Sequence, residues 1–467
     1  MSAPLLWIFA PIVIGALTFL IRRARTVTIV GGVTSLLLAG IAFIVPIDEA
    51  LLIGPVSLKI ASSAFLLGRS LVLNPSSAPF LVILYGMGVL WFFGAEAAGV
   101  AHRQVPFGLI ITGLLVASIA VQPFLFAGLL IEIAILVSIP MISPSNQTPG
   151  RGVVRFLIYQ TLGMPFILFA GWLLAGVEAS PGDLALTIQS TAMLGLGFAF
   201  LMAVFPLYNW IPQLMEESSP FIVGFLLWLL PTIASIYGMG FLDRYAWLRT
   251  SPELLAGLRI TGLLMVVTGG LWAAFQRHTG RLMAYTAIAE TGFILIALGL
   301  DPAKSADITF LLTPARGLSI AIWALSLSIL KSEPSSKPLS FTSMQGLARI
   351  YPFASTGLIL ATLSTAGFPL LAGFPPRLAL WEGLGQQSLG LAIWFLVGLL
   401  GLLIGAVRML AVLVINKDET AWTTKETWTQ RGMLGIGLIG LFILGLFPQV
   451  LRPVLEKLPL MFQHLGH

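Results

Sequence analysis

Four ionisable side chains, Glu132, Glu290, Arg316 and Arg377, lie within otherwise apolar stretches of the sequence. A charge at bilayer depth costs roughly 2.5–3.5 kcal/mol on insertion scales, so such residues usually pair with one another or line an ion pathway. Four charges on four separate stretches are hard to place facing lipid. The pattern therefore favours a polar path inside a helix bundle over isolated structural ion pairs. Arg408, closer to the end of its stretch, is better explained as an arginine that reaches the membrane interface.

The composition places these charges in a membrane protein. Of the 467 residues, 57% are hydrophobic and only 9% are charged, whereas soluble domains contain about 25% charged residues. The sequence has no cysteine and only four unclustered histidines, which excludes disulfides and thiolate-bound metals or iron–sulfur clusters. It contains no phosphate-binding loop and no zinc-helix motif. We therefore predict no cofactor, no metal and no redox chemistry in this chain, and no quinone, NADH, flavin or haem bound by it alone.

Fourteen apolar segments of helical length predict an all-α integral membrane protein with about fourteen transmembrane helices, in one domain over 1–467. Segments 1 to 14 fall at 4–21, 27–46, 77–99, 105–121, 123–142, 153–177, 190–211, 220–242, 256–276, 282–300, 307–331, 353–385, 389–415 and 432–450. Residues 47–76 are less hydrophobic and alternate in polarity, which predicts a short hairpin outside the membrane.

Two segments carry helix-breaking residues near their middle. Segment 7 contains Phe205-Pro206, and segment 12 contains the proline- and glycine-rich run from Ala366 to Arg377. Proline cannot donate its backbone hydrogen bond, so helical pairing must fail there. Unwound backbone at the bilayer midplane commonly forms ion sites in transporters built from inverted repeats. We predict two inverted five-helix repeats, about 105–242 and 256–415, preceded by helices 1–3 (about 1–104) and followed by a last helix (about 432–450).

Basic residues are distributed unevenly between the two sets of loops. Fourteen lie in loops that follow odd-numbered segments, against about eight in the other loops and the C-terminal tail. The positive-inside rule then predicts that both termini lie on the non-cytoplasmic side of the cell (inner) membrane.

Four motifs resemble those of the antiporter-like membrane subunits of complex I (NADH:quinone oxidoreductase), a family shared with Mrp-type cation/proton antiporters. They are Phe205-Pro-Leu-Tyr-Asn-Trp-Ile-Pro212, Arg281-Leu-Met-Ala-Tyr-Thr-Ala-Ile-Ala-Glu-Thr-Gly-Phe293, Arg316-Gly-Leu-Ser319 and Leu363-Ser-Thr-Ala-Gly-Phe-Pro369 with Gly373-Phe-Pro-Pro-Arg377. The similarity spans most of the chain and is greatest to the medium-length M- and N-type subunits. The resemblance implies other membrane subunits as partners.

In that family, a glutamate in helix 5, lysines in helices 7 and 8, axial histidines or lysines and a helix-12 lysine or glutamate form a hydrated proton path. The resemblance assigns the path of this chain to Glu132 (one turn early, with Ile135 at the family position), Leu201 and Thr232 at the two lysine positions, Glu290 and Arg316 at histidine positions, and Arg377 at the helix-12 lysine position. Arginine is always protonated and cannot exchange protons as lysine does. We therefore expect pumping to be impaired, or rerouted through Glu132 and Glu290.

The resemblance implies a proton-translocating, partly degenerate, subunit of an NADH:quinone oxidoreductase or related complex. Three alternative functions share these motifs and remain open: the chain could be a component of a Mrp-type cation/proton antiporter, of a membrane-bound hydrogenase, or of a pump for inorganic carbon uptake. A secondary transporter of unrelated fold is a further alternative.

Overall fold

In the computed structural model, residues 2–53, 56–66, 68–143, 148–180, 182–331, 339–415 and 422–465 are described, and α-helices dominate them. The helices of the first half are α1 (Ala10–Thr18), α2 (Ala24–Ile44), α3 (Ala78–Ala97), α4 (Ala101–Ala120), α5 (Ala127–Ile142), α6 (Arg151–Ala179), α7 (Leu184–Leu201), α8 (Trp210–Glu217) and α9 (Pro220–Arg244). Those of the second half are α10 (Ala246–Arg249), α11 (Pro252–Phe275), α12 (Thr279–Gly299), α13 (Pro302–Lys331), α14 (Pro352–Thr365), α15 (Phe374–Gln387), α16 (Leu389–Val414), α17 (Trp428–Leu446) and α18 (Arg452–Leu455).

The helical membrane architecture predicted from composition is confirmed. Within the described ranges, twelve helices are long and apolar enough to cross a bilayer. The first apolar segment forms a shorter helix, Leu5–Thr18, whose opening turn is π-helical. The twelfth is divided between α14 and α15, of 14 residues each. Every predicted segment thus contains helix, whereas the count of fourteen crossings and the inverted repeats stay predictions.

Short strands lie where the hairpin was predicted. Ala50–Ile53 (β1) pairs antiparallel with Val56–Lys59 (β2), and Ser63–Leu66 (β3) pairs with Arg69–Val72 (β4). The two-residue strand Val121–Gln122 (β5) adds to β4 and separates α4 from α5.

Both predicted breaks are present, although the bounds predicted for segment 7 were wrong. Its helix, α7, begins at Leu184 and ends at Leu201, because the chain turns at Ala203, which has a left-handed φ of +50°. The short helix α8 follows that turn and the Phe205-Pro206 bond. In segment 12 the break between α14 and α15 contains Gly367 at φ +77° and Leu370 at φ +73°. Apolar periodicity alone did not show where α7 stops.

Three of the helices that carry predicted site residues, α9, α12 and α13, form the centre of the bundle. In α9, α12 and α13, 94%, 94% and 89% of the most apolar stretch is buried inside the protein, against 17% in α17. A helix buried on all sides needs apolar residues on all faces. The polar residues inside these buried stretches, among them Thr232, Glu290 and Arg316, therefore face protein and not lipid.

Candidate ion pathway

Glu290 and Arg377 form an ion pair in the centre of the bundle. Glu290 lies near the middle of α12, and its Oε1 accepts a hydrogen bond from Nη2 of Arg377, in the first turn of α15. The two side chains are 0% and 3% exposed. The Arg377 guanidinium also lies 4.3 Å from the ring centre of Phe293, one turn after Glu290 in α12. A cation is disfavoured at a helix N-terminus, so Glu290 supplies the compensating charge.

The break in segment 12 positions Arg377. The Gly373 N–H donates to Ser364 Oγ at 3.1 Å, and Ser364 Oγ lies 2.9 Å from Ser319 Oγ of α13. The first turn of α15 is thereby tied to α14 and α13. Gly367, in the break, allows the Arg377 side chain to pack closely, because a Cβ there would lie 3.1 Å from Arg377 Cγ.

Arg316 contacts the backbone of α9. Its Nη1 donates to the Trp228 carbonyl and to Thr232 Oγ1, both at 3.2 Å, and its Nη2 donates to the Leu227 carbonyl. The Leu227 carbonyl is free for this bond because Pro231, four residues later in α9, has no N–H to offer it. Arg316 is 1% exposed and lies near the middle of α13. The structure therefore brings Thr232 and Arg316 together.

Several polar atoms of this group have no partner among the described residues. They are Glu290 Oε2, Arg377 Nε and Nη1, and Arg316 Nε. Arg316 is also within electrostatic range of both Glu290 and Arg377. Buried polar atoms in proteins are normally paired with protein or with ordered water. Ordered water is therefore the partner that these unpaired donors and this unpaired acceptor call for.

Glu132 lies apart from this group. Its Oε1 accepts a hydrogen bond from Thr161 Oγ1 of α6 at 2.8 Å, and its side chain is half-buried on the α5–α6 side of the bundle. No hydrogen bond or ion pair joins it to Glu290 in the part of the chain that the structure describes. Arg408 donates to the Ala274 carbonyl at the end of α11 and lies 5.5 Å from the Phe341 ring. Arg408 thus caps a neighbouring helix, in keeping with a structural role.

A small cavity lies beside the break that follows α7. It has a volume of about 20 Å³ and is lined by Gln160, Leu201 and Thr291, among others, which is room for about one water molecule. Gln160 of α6 donates to the carbonyls of Phe200 and Leu201, the last residues of α7. Its lining includes Gln160, which precedes the Glu132 partner Thr161 in α6, and Thr291, which follows Glu290 in α12.

The sequence interpretation missed three residues that build this site. Pro231, inside an apolar segment, was a recognisable signal for a freed carbonyl. Gln160 was a polar residue in such a segment and could also have been singled out. Nothing in the sequence distinguished Ser364 from the other small residues near the break.

The bundle, with its two interrupted helices and buried charges, defines a polytopic helical membrane protein. Residues 129–405 match the family model described as NADH:quinone oxidoreductase/Mrp antiporter, transmembrane. The chain belongs to this family.

Similar curated proteins carry consistent names. NADH-quinone oxidoreductase subunit 14 of Thermus thermophilus is 28% identical over 362 residues, which cover 73% of this chain and 78% of the relative. Subunit N of Desulfitobacterium hafniense is 24% identical, with 70% of this chain and 72% of the relative covered. The predicted resemblance to the antiporter-like membrane subunits of complex I, greatest to the M- and N-type subunits, is confirmed, and the relatives named here are subunits 14 and N.

Solved structures show the same fold. A chain of respiratory complex I from Thermus thermophilus superposes with a TM-score of 0.78 at 19% identity, covering 98% of this chain and 100% of that one. A chain of the Mrp complex from a Dietzia species gives a TM-score of 0.81 at 16% identity, with 98% and 96% covered. The membrane-bound sulfane sulfur reductase, an archaeal respiratory complex, gives 0.79 at 15% identity, with 98% and 97% covered. All three are multisubunit membrane complexes.

Proposed function

We propose that this chain is the proton-translocating membrane subunit of a quinone-reducing complex of the NADH:quinone oxidoreductase type. Its curated relatives carry that name, and the solved structures of the same fold include both complex I and a Mrp complex. The fold does not distinguish a quinone oxidoreductase from a cation antiporter. The names of the relatives by sequence favour the former.

The observation that carries the proposal is the buried Glu290–Arg377 pair beside the break in segment 12. A proton path needs a group that can release and regain a proton. Neither guanidinium of the group can do so, so Glu290 is its titratable member. Its unpartnered Oε2 and the unpartnered nitrogens of Arg377 give water a place to bind and to exchange protons with the carboxylate.

Glu132 is the second titratable group of the proposed path. A connection to Glu290 is supported by the small cavity with room for about one water, which is lined by Gln160, next to the Glu132 partner Thr161, and by Thr291, next to Glu290. Thr232 contributes as a hydrogen-bond acceptor for Arg316. Leu201, at a family lysine position, offers no proton site, so one cationic relay of the family is replaced here by apolar surface.

Arg316 alters the charge distribution that the family resemblance implies. Thr232, in α9 (predicted segment 8), stands at a family lysine position. The guanidinium of Arg316 from α13 reaches its hydroxyl. A positive charge is therefore kept at this position of α9, although another helix supplies it and it is a fixed charge.

The proposed orientation in the membrane rests on the uneven distribution of basic residues between the two sets of loops. Both termini lie on the non-cytoplasmic side, and loops after odd-numbered segments lie in the cytoplasm. The bundle divides into helices 1–3, two five-helix halves that each contain one broken helix, and the last helix.

Purification of the tagged chain from its native membrane tests the proposed host complex. We expect it to co-purify with quinone-reductase subunits and with donor-dependent quinone reduction. Co-purification with small cation-antiporter subunits, and with no redox partner, would instead support the antiporter alternative and contradict the proposal.

A further inference from the structure

Arg316 occupies a site on α9 that has the ligands of a cation site. Three oxygen atoms, the carbonyls of Leu227 and Trp228 and the hydroxyl of Thr232, converge on its guanidinium. Backbone carbonyls that a disrupted helix leaves without an N–H partner coordinate Na⁺ in transporters with broken helices. Pro231 releases the Leu227 carbonyl in this way. The Trp228 carbonyl also accepts a hydrogen bond from Thr232 Oγ1 at 2.7 Å, which holds the two oxygens together.

The guanidinium cannot leave this site readily. Arg316 is 1% exposed, it projects from the middle of a buried helix, and Gly317 beside it packs directly against the Trp228 indole, where a Cβ would lie 2.7 Å from Nε1. Arginine also keeps its charge at every physiological pH. The three oxygens are therefore already bound to a cation that belongs to the chain.

The charge around the site further disfavours a mobile metal ion. Arg316 and Arg377 contribute two positive charges, whereas Glu290 contributes one negative charge to the group that they form. Fixed positive charge in a narrow polar path excludes cations. A proton can still be taken up as a change in the protonation of Glu290, without a new ion beside the guanidiniums.

We propose that Arg316 is a tethered cation that permanently fills an oxygen-lined cation site of α9, and that this subunit therefore translocates protons but neither Na⁺ nor K⁺. The inference about the transported ion rests on the proposed function. The occupancy of the oxygen site by Arg316 does not depend on it.

The occupancy is tested with the full-length chain in detergent. Thermal unfolding is measured in NaCl, KCl and choline chloride at equal ionic strength. The wild-type midpoint should be the same in all three salts, because the site is filled. Arg316→Ser opens the site, so its midpoint should rise with NaCl or KCl in a saturable way, relative to choline chloride. Adding Thr232→Val removes one of the three oxygens and should abolish most of that rise.

Arg408→Ser is the matched control, since Arg408 also binds a backbone carbonyl inside a membrane helix but has one such contact and lies elsewhere. It should show no Na⁺- or K⁺-specific shift. The assignment of the site would be overturned if the wild-type unfolding midpoint rose specifically with Na⁺ or K⁺ and Thr232→Val removed that rise. It would also be overturned if the Arg316→Ser variant bound neither ion.

A second measurement does not depend on the folding of the Arg316 variants. Inside-out membrane vesicles that contain the wild-type complex are supplied with electron donor and ²²Na⁺ or ⁸⁶Rb⁺. We expect proton uptake without metal-ion uptake through this subunit. The inference about the ion would be contradicted if the wild-type complex took up either radioactive ion and this uptake disappeared in the Glu290→Gln/Arg377→Met variant. A chain that is found without redox partners would contradict the proposed function alone and leave the salt test standing.

Discussion

Glu290→Gln should destabilise the protein by about 3–5 kcal/mol, the usual cost of removing one partner from a buried ion pair. The substitution leaves two guanidiniums, Arg316 and Arg377, close together at 1% and 3% exposure without the carboxylate that offsets them. The measurement is the free energy of unfolding of the full-length chain in mixed micelles.

A second substitution, Arg377→Met, should raise the stability of the Glu290→Gln variant, which makes this prediction specific. Replacing Arg377 by Met in the Glu290→Gln background removes one of the two unbalanced cations and fills its volume with an apolar chain. We expect it to restore most of the lost stability, since neutral replacements of a buried ion pair are often tolerated.

The exposed pair Arg452–Glu456 provides the matched control. These side chains are 72% and 59% exposed, so the corresponding variants Glu456→Gln and Arg452→Met should show no measurable loss. If Glu290→Gln were as stable as the wild type, or if adding Arg377→Met made it worse, the pair would not hold the charge balance assigned to it.

Gly373→Ala should be among the most damaging single methyl additions in the chain. A Cβ at this position would overlap the backbone carbonyl of Ser364, which cannot move aside as the end of a flexible side chain can. Overpacking of this kind typically costs about 1–3 kcal/mol, and occasionally more. Moving Gly373 away from Ser364 to relieve this overlap would also strain the 3.1 Å hydrogen bond from the Gly373 N–H to Ser364 Oγ.

Displacement of Gly373 also affects the ion pair. The Arg377 N–H donates to the Gly373 carbonyl at 3.3 Å, so a shift of the first turn of α15 moves the guanidinium relative to Glu290. Unfolding measurements on Gly373→Ala should therefore show a clear loss of stability, and the proton-to-electron ratio of the complex should fall with it.

Gly385→Ala, in the same helix, serves as the control. A Cβ there would meet only the Ala392 Cβ, at 4.0 Å, and alanine favours helix over glycine by up to about 1 kcal/mol. It should be neutral or slightly stabilising. Equal effects of the two substitutions would show that the close approach at Gly373 does not fix the break.

Much of the architecture could be predicted because the bilayer imposes strong local rules. Apolar segments of sufficient length must be helical, since backbone groups in lipid have no other partners. Proline and glycine stop those helices locally, which is why the breaks at Phe205-Pro206 and between Ala366 and Arg377 were recognisable. The end of α7 at Leu201 was missed because the chain stays apolar for several residues beyond the helix.

The site was less predictable because its contacts join distant parts of the chain. Burial of Glu290, Arg316 and Arg377 followed from the cost of charges in lipid. Which of them pair did not follow, since Glu290 and Arg377 are separated by 87 positions and no local pattern relates α12 to α15. The position of Glu132 beside Thr161, away from the other charges, was likewise decided by packing that no local pattern encodes.

The proton-to-electron ratio of vesicles that contain the Glu290→Gln/Arg377→Met complex tests most directly whether Glu290 lies on the proton path. Protons moved and donor oxidised are recorded together, and the complex with Glu456→Gln/Arg452→Met is measured alongside. We expect a lower ratio in the Glu290→Gln/Arg377→Met complex, with electron transfer retained and with the control equal to the wild type. An unchanged ratio in a fully assembled complex would remove Glu290 from the path.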